Sequence, residues 1–416
     1  MQTTHSNRVL MAITAIAVAI AFGRIFVTTP SLHWHDPDET KPFGGDFIQE
    51  WAGADMLRSE QGRDLYDLKA FAAWQHSPER LGFAWDKHGF YPPVYPPPYY
   101  WLLRPFSLLN YRAAVWVWMA LIVLAYPVAV YIIENYCVSP STSRTRLAIF
   151  FWSVFVLFPP LYEGWRAGQK GSLWLLLLAL SVAACRAKRP FVAGLLLSIF
   201  TLKPTLFLLA PLAALRTRWI ALGGMTLGFG LLWGICFLTT PWEAWSGFID
   251  VVRGTGEYQH NTWYRPDWSC SLLTITHSVN RAGGWPWAAL VTLPIVALIG
   301  YSLLFDRGLK ELKPESVFLW LVAAGLVAPH FYHYDVVWLA LPLRLMLGAR
   351  PARSIWYLLA LWMAARYAKP FFDATGMPLL ALCHVVLLID LILLSQRGSK
   401  RTSETHPPVG DVAAAG

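Results

Sequence analysis

The sequence has 416 residues, of which 56% are hydrophobic and only 14% charged. Soluble domains carry about a quarter charged residues, so this composition excludes a water-soluble globular protein and implies an all-α, polytopic membrane bundle. The net charge of +9 comes from basic residues that flank apolar segments and form no single patch, which excludes nucleic acid as a partner and suits anionic membrane lipids.

The first apolar run, 9–27, is longer than a signal-peptide core and lacks a small-residue cleavage site, so it reads as an uncleaved first helix. A long polar stretch, 30–98, follows it. Apolar character returns over 113–133, 147–162, 172–185, 191–215, 220–238, 287–304, 316–328, 336–347, 354–367 and 379–394. At about 20 residues per span, these runs predict roughly ten crossings in a single domain, 1–394. The 22 Trp and 29 Pro fit this class, because Trp favours membrane interfaces and Pro is tolerated where neighbouring helices re-satisfy the backbone. Residues 395–416 are polar, basic and Pro/Gly-containing, and are expected to form a disordered cytoplasmic tail.

Basic residues in short connections set the expected orientation. Arg144/Arg146, Arg186/Lys188/Arg189, Arg216/Arg218, Arg307/Lys310/Lys313 and Arg350/Arg353 all mark the cytoplasmic side. Both ends of 191–215 then face the cytoplasm, which one straight span cannot satisfy. Two half-helices broken at Lys203-Pro204 resolve this, because Pro removes a backbone donor and disrupts a helix interior; a single kinked span is the alternative. With the break, both termini are cytoplasmic, and 30–98, 163–171, 240–284, 329–335 and 368–378 are extracytoplasmic.

The first loop is acid-rich, and most of its acids, including Asp36, Asp38, Glu50 and Asp55, are expected to be solvated. Phe47, Trp51, Ala54 and Leu57 follow a helical period, so an amphipathic helix is expected here along the membrane surface. Asp46 stands apart. It follows Gly44-Gly45, where the backbone can approach a neighbour closely, and it is either a helix cap or a functional acid. Lys203 inside an apolar run is a functional candidate by default, with snorkelling to the interface as its alternative. His330, His333 and Asp335 gather at a helix end, although an i,i+3 His pair is weak evidence for a metal. His33, His35, Asp36 and Asp38 read better as solvated loop than as a cation site. Trp242, Trp245, Trp263, Tyr264 and Trp268 read first as interface anchors. The five scattered cysteines show neither disulfide nor zinc spacing. No metal and no cofactor is expected.

The segment GGDFIQEWAGADMLRSEQGRDLYD (44–67) resembles the first-loop signature of glycosyltransferase family 87. It has Asp46-Phe47, then Trp51-Ala52-Gly53, Gly62 and Leu65-Tyr66. Further matching segments follow in the family's order: YPPVYPPPYYWLLRPFSLL (91–109), AGQKGSLWLLLLAL (167–180), TLKPTLFLL (201–209) and APHFYHYDVVWLALPL (328–343). One departure is Lys170-Gly171 after Gly168-Gln169, where the family pattern has an Asn nearby. The resemblance implies a GT-C fold and transfer of a hexose, mannose being the expected sugar, from a polyprenyl-phosphate donor. The acceptor would be a lipid or glycan at the outer side of the cell membrane, and the reaction would invert the anomeric centre. It also implies Asp46 as the general base. A phosphate leaving group needs cationic or hydrogen-bond donors, which makes Lys203, Arg166, His330 and His333 its candidate partners, and Tyr95, Gln169 and Asp335 are further candidate substrate contacts. A transporter or flippase of a lipid-linked substrate is the competing reading. It should show internal repeats and paired broken helices with polar residues at mid-membrane, and the sequence offers only Lys203 there.

Overall fold

A computed structural model describes residues 2–28, 42–85, 90–139, 145–254, 265–306 and 308–404, and the statements below concern these residues. They form helices and connections. The N-terminal half contains α1 (Gln2–Thr28), α2 (Phe47–Arg58), α3 (Leu68–Gln75), α4 (Pro78–Leu81), α5 (Pro97–Leu103), α6 (Tyr111–Ile132), α7 (Thr145–Val156), α8 (Pro159–Arg166) and α9 (Gly171–Arg186). Then come α10 (Pro190–Ser198), α11 (Pro204–Phe207), α12 (Ala210–Thr217), α13 (Trp219–Thr239), α14 (Trp242–Arg253), α15 (Leu272–Gly283) and α16 (Trp285–Phe305). The last are α17 (Pro314–Val327), α18 (Ala340–Ala349), α19 (Pro351–Thr375) and α20 (Leu379–Glu404). The helix α20 therefore runs nine residues past Ser395, into the stretch expected to be a disordered tail; 405–416 lie outside the described residues.

Three helices, Tyr111–Cys137, Trp219–Thr239 and Trp285–Phe305, are long and apolar enough to cross a membrane. Two bent pairs, 145–166 with a 45° bend and 351–394 with a 113° bend, raise the number to five if each counts as one span. The first expected crossing lies within the 27-residue α1. The remaining ones appear as shorter apolar helices, several of them interrupted where the chain meets proline or tightens into a 3₁₀ turn. Along α13 and α16, Leu227, Leu231, Leu238, Leu290, Leu293 and Leu304 are exposed. An apolar surface of that extent is untenable in water and is the surface that lipid covers.

The chain reverses at Lys203-Pro204. Gly194 and Gly224 let α10 and α13 approach until a Cβ at either would clash with the other's backbone, at Ala221 and Phe191 respectively. Further along, Gly228 meets Ser198, and Trp233 Nε1 donates to Thr201 Oγ1 at 3.0 Å. The contacts advance in the same direction on both helices, so α10 and α13 run parallel. Ala214 of α12 packs with Ala221 and Met225, which brings the chain back to the start of α13. Residues 190–217 are thus short helices, α10 before the break and α11 and α12 after it, with α10 and α12 each packed against α13, and not one kinked rod.

Packing also corrects the reading of the first loop. Every residue of α2 from Phe47 to Leu57 is buried, so it is enclosed and shows no wet face along a membrane surface. Gly53 permits this, since a Cβ there would lie 2.3 Å from the Tyr100 ring. Glu50 and Asp55 are buried too, at 0% and 4% exposure, so neither is solvated. Asp55 Oδ2 accepts from Trp74 Nε1 at 3.1 Å and from Arg80 at 3.3 Å. The reading does hold for Glu60, Asp64 and Asp67, which are exposed. Asp36 and Asp38 lie outside the described residues.

Candidate active site

The site forms where the start of α2 meets the turn before α9. Gly44, Gly45 and Gly168 all adopt positive φ, at 84°, 50° and 67°, a region that L side chains rarely occupy. A Cβ on Gly168 would lie 2.2 Å from the Gly44 carbonyl oxygen, and one on Gly45 would lie 2.9 Å from that of Ala167. The two turns therefore touch backbone to backbone, and Asp46 N donates to Ala167 O at 3.0 Å. Trp118 Nε1 holds the Gly168 carbonyl from behind at 2.8 Å. This contact places Gln169 and Lys170 over α2. Gln169 Nε2 donates to the Asp46 carboxylate, and Lys170 donates to Glu50 one helical turn further on. Asp46 begins α2 but makes no side-chain cap, so its carboxylate faces Gln169 and not the helix amides. It is half-buried, whereas Glu50 and Lys170 are enclosed. Burial raises the Glu50 carboxyl above its ordinary range, against the pull of the Lys170 ammonium.

A second buried pair lies alongside. The broken backbone at Lys203 sends its ammonium to Asp335, at 2.5 and 2.6 Å from the two carboxylate oxygens. Asp335 also accepts from Tyr332 N at 3.1 Å, in a capping box that opens the 3₁₀ helix His333–Leu339. The two pairs are close enough that Lys203 feels both Lys170 and Glu50. Between them stands Tyr95, whose hydroxyl accepts from Lys170 Nζ at 2.9 Å. Asp46, Gln169, Tyr95, Lys203 and Asp335 thus come together. Arg166 does not join them: its guanidinium pairs with Glu163 at 2.8 Å on an exposed part of α8.

The histidines part company. His330 is exposed, and its carbonyl accepts from Thr205 Oγ1 at 3.5 Å, which lays this loop over the break at Lys203. His333 is 6% exposed and packs edge-on against Trp268, with ring centroids 4.6 Å apart. A strap over 269–270 pairs with 331–332 and holds that contact, Cys270 N donating to Phe331 O at 2.8 Å. Trp245 sits apart, against Trp233 and Phe237. Trp263, Tyr264, His33 and His35 lie outside the described residues. Among the described residues, no three His, Cys, Asp or Glu side chains converge on a point where a metal ion would bind.

A model of glycosyltransferase family 87 matches residues 94–331, more than half of the 416-residue chain. The chain belongs to glycosyltransferase family 87. No curated protein and no solved structure matches it. The matched region of this glycosyltransferase contains Tyr95, Arg166, Gln169, Lys170, Lys203 and His330. Asp46 and Glu50 precede it, and His333 and Asp335 follow it.

Two members of the cluster escape the sequence reading: Glu50, because loop acids are taken as solvated, and Lys170, because it is read only as a departure from the family pattern. A signal was present, since Glu50 is four residues after Asp46 on one helix face and Lys170 directly follows Gln169. His333 has a pH consequence. Burial pulls its imidazole down from 6.5 to about 3, so it is neutral in the folded glycosyltransferase near neutral pH. A depressed folded pKa gives stability that is complete above pH 6.5 and is lost as pH falls toward 3. His333→Gln is expected to flatten the fall of Tm across that window and to leave the pH–activity profile near 6–7 unmoved. An inflection near 6.5 that vanishes with this variant would show instead that His333 titrates during turnover.

Proposed function

We propose that this family-87 chain transfers a hexose, mannose in our reading, from a polyprenyl-phosphate donor to a hydroxyl of a lipid or glycan acceptor. The reaction takes place at the extracytoplasmic side of the cell membrane, with both chain termini cytoplasmic, and it inverts the anomeric centre. The observation that carries this reading is a half-buried carboxylate with no structural duty as a cap, beside two lysines held in a buried polar cluster. In the proposed step, the acceptor oxygen attacks the anomeric carbon from the side opposite the phosphate. Its O–H proton passes to Asp46, the bond from the anomeric carbon to the phosphate oxygen breaks, and the electron pair leaves on the phosphate. Lys203 and neighbouring hydrogen-bond donors stabilise the charge that develops there. In this proposal His330 and Arg166, both exposed, meet the phosphate or headgroup as the donor arrives from the lipid. Gln169 fixes the Asp46 carboxylate, and Asp335 fixes Lys203.

Donor affinity tests the assignment of Lys203. Because Lys203→Met alone strands Asp335, the informative variant is Lys203→Met with Asp335→Asn. Loss of a charge-assisted contact to phosphate costs about 1.5–3 kcal/mol, so donor binding should weaken by about 10- to 150-fold. The partner-only variant Asp335→Asn leaves the ammonium in place and should weaken it far less. Unchanged affinity in the double variant would reduce the pair to a structural tie.

A further inference from the structure

Lys170 is in an unfavourable place for a lysine. It stands at the N-cap of α9 with its carbonyl accepting from Trp174 N at 3.0 Å, so its positive charge sits at the positive end of a helix dipole. It is also 2% exposed. Glu50 compensates it, yet a buried ion pair is weak evidence for stability, because an apolar pair of the same shape does as well. What the pair does accomplish is geometric. The Lys170 ammonium lies over the Tyr95 and Tyr99 rings, 4.3 and 5.1 Å from their centroids, and donates to the Tyr95 hydroxyl. An ammonium only donates, whereas a phenol donates one proton and accepts elsewhere. Tyr95 therefore spends its acceptor side on Lys170, and its own proton must turn away from Nζ.

The hydroxyl turns into the site. Tyr95 is only half-buried, and its phenol feels Glu50, Asp46, Asp335 and Tyr332, the groups that line the cluster. Burial first, and then these carboxylates, hold it well above the ordinary phenol range, so it remains an O–H donor at any working pH. Its backbone is fixed as well: Tyr95 O accepts from Tyr66 OH at 2.5 Å, and Tyr95 N donates to Tyr100 OH at 3.4 Å. Both lysines of the cluster are already paired with carboxylates. A phosphate entering between the pairs thus meets neutral O–H groups as well as shared ammonium protons.

We propose that Lys170, balanced by Glu50, is a positioning residue that orients the Tyr95 hydroxyl as a fixed hydrogen-bond donor to the phosphate group of the lipid-linked substrate. This rests on the donor class assigned above and adds to it the residues that discriminate a phosphate. The chemistry at Lys170 is purely one of orientation: no bond to it forms or breaks.

Binding of a short-chain polyprenyl monophosphate to the full-length protein in nanodiscs tests this, with thermal stability followed in parallel. The variants are Tyr95→Phe, the charge-balanced pair Lys170→Met with Glu50→Gln, and all three substitutions together. If Lys170 acts through Tyr95, each of the first two should weaken binding by about 10-fold, as for one lost hydrogen bond to a charged group. The triple variant should then be about 10-fold weaker and not 100-fold, because coupled residues are not additive. Multiplying losses, or a pair variant that binds like wild type, overturn the proposal. Tyr95→Phe removes one oxygen from a half-buried ring and carries the test if the pair variant does not fold: undiminished binding by it also overturns the proposal. Sugar transfer by the wild-type protein is scored separately. Binding that lacks the coupling therefore refutes the role of Lys170 alone, and binding without transfer refutes the enzymatic reading alone.

Discussion

Replacing Asp46 with Asn is expected to lower turnover by roughly 10²–10⁴-fold, the range for removing a general base. The substitution is mild in every other respect. An Asn keeps the size of the side chain and an acceptor oxygen for Gln169, and the backbone bond from residue 46 to Ala167 O does not involve the side chain. The start of α2 should not suffer, because the Asp46 carboxylate makes no cap. Donor affinity and Tm should therefore stay near wild type while the rate collapses. Asp64→Asn, at an exposed position of the same loop, is the matched control and should be neutral, as should Asp36→Asn and Asp38→Asn. Initial rates with saturating donor decide the matter. An active Asp46→Asn beside an inactive control would place the base elsewhere in the loop.

The largest stability effect is expected far from the reacting groups, at Arg344. This guanidinium is 0% exposed within α18 and pairs with Glu134 through two bonds, at 2.5 and 2.7 Å. Trp152 Nε1 donates to the same carboxylate at 2.7 Å. Glu134 lies in the π-turn that ends α6 (Ile133–Cys137), so one carboxylate ties α6, α7 and α18 together. Removing one partner strands the other charge in the interior, which costs about 3–5 kcal/mol, whereas replacing both with apolar groups is often neutral. Arg344→Met and Glu134→Gln should each lower Tm sharply in detergent, and Arg344→Met with Glu134→Met should recover most of the loss. A double variant as unstable as the singles would mean that the shape of the pair, and not charge balance, supports the bundle.

Different parts of this molecule were legible to different degrees, for physical reasons. The membrane class follows from composition alone, since so few charges cannot dress a water-facing surface. The break at Lys203-Pro204 was legible because a missing backbone donor acts locally, and the structure turns the chain back at that point. Asp46 was marked by its glycines, whose positive φ lets two turns touch. Long-range pairing is a different matter. The partners Lys203 and Asp335 are 132 residues apart, and Arg344 looks like a flaw in an apolar run until Glu134 is beside it. Glu50 was misread because an acid in a polar loop is ordinarily wet, and only the enclosure of α2 removes its water. The lengths of the spans were also hidden, because 3₁₀ turns and prolines shorten helices without altering the mean hydropathy of a segment.

Purified protein in liposomes, given a panel of radiolabelled polyprenyl-phosphate hexoses together with total membrane lipids, tests the central claim most directly. Glycosyl transfer requires that one donor be consumed and that free polyprenyl phosphate appear in step with a new labelled glycolipid or glycan. The sugar in that product should carry the anomeric configuration opposite to the donor's. Recovery of every donor intact, with label moving from one leaflet to the other, would contradict transfer and make the protein a carrier of lipid-linked sugars.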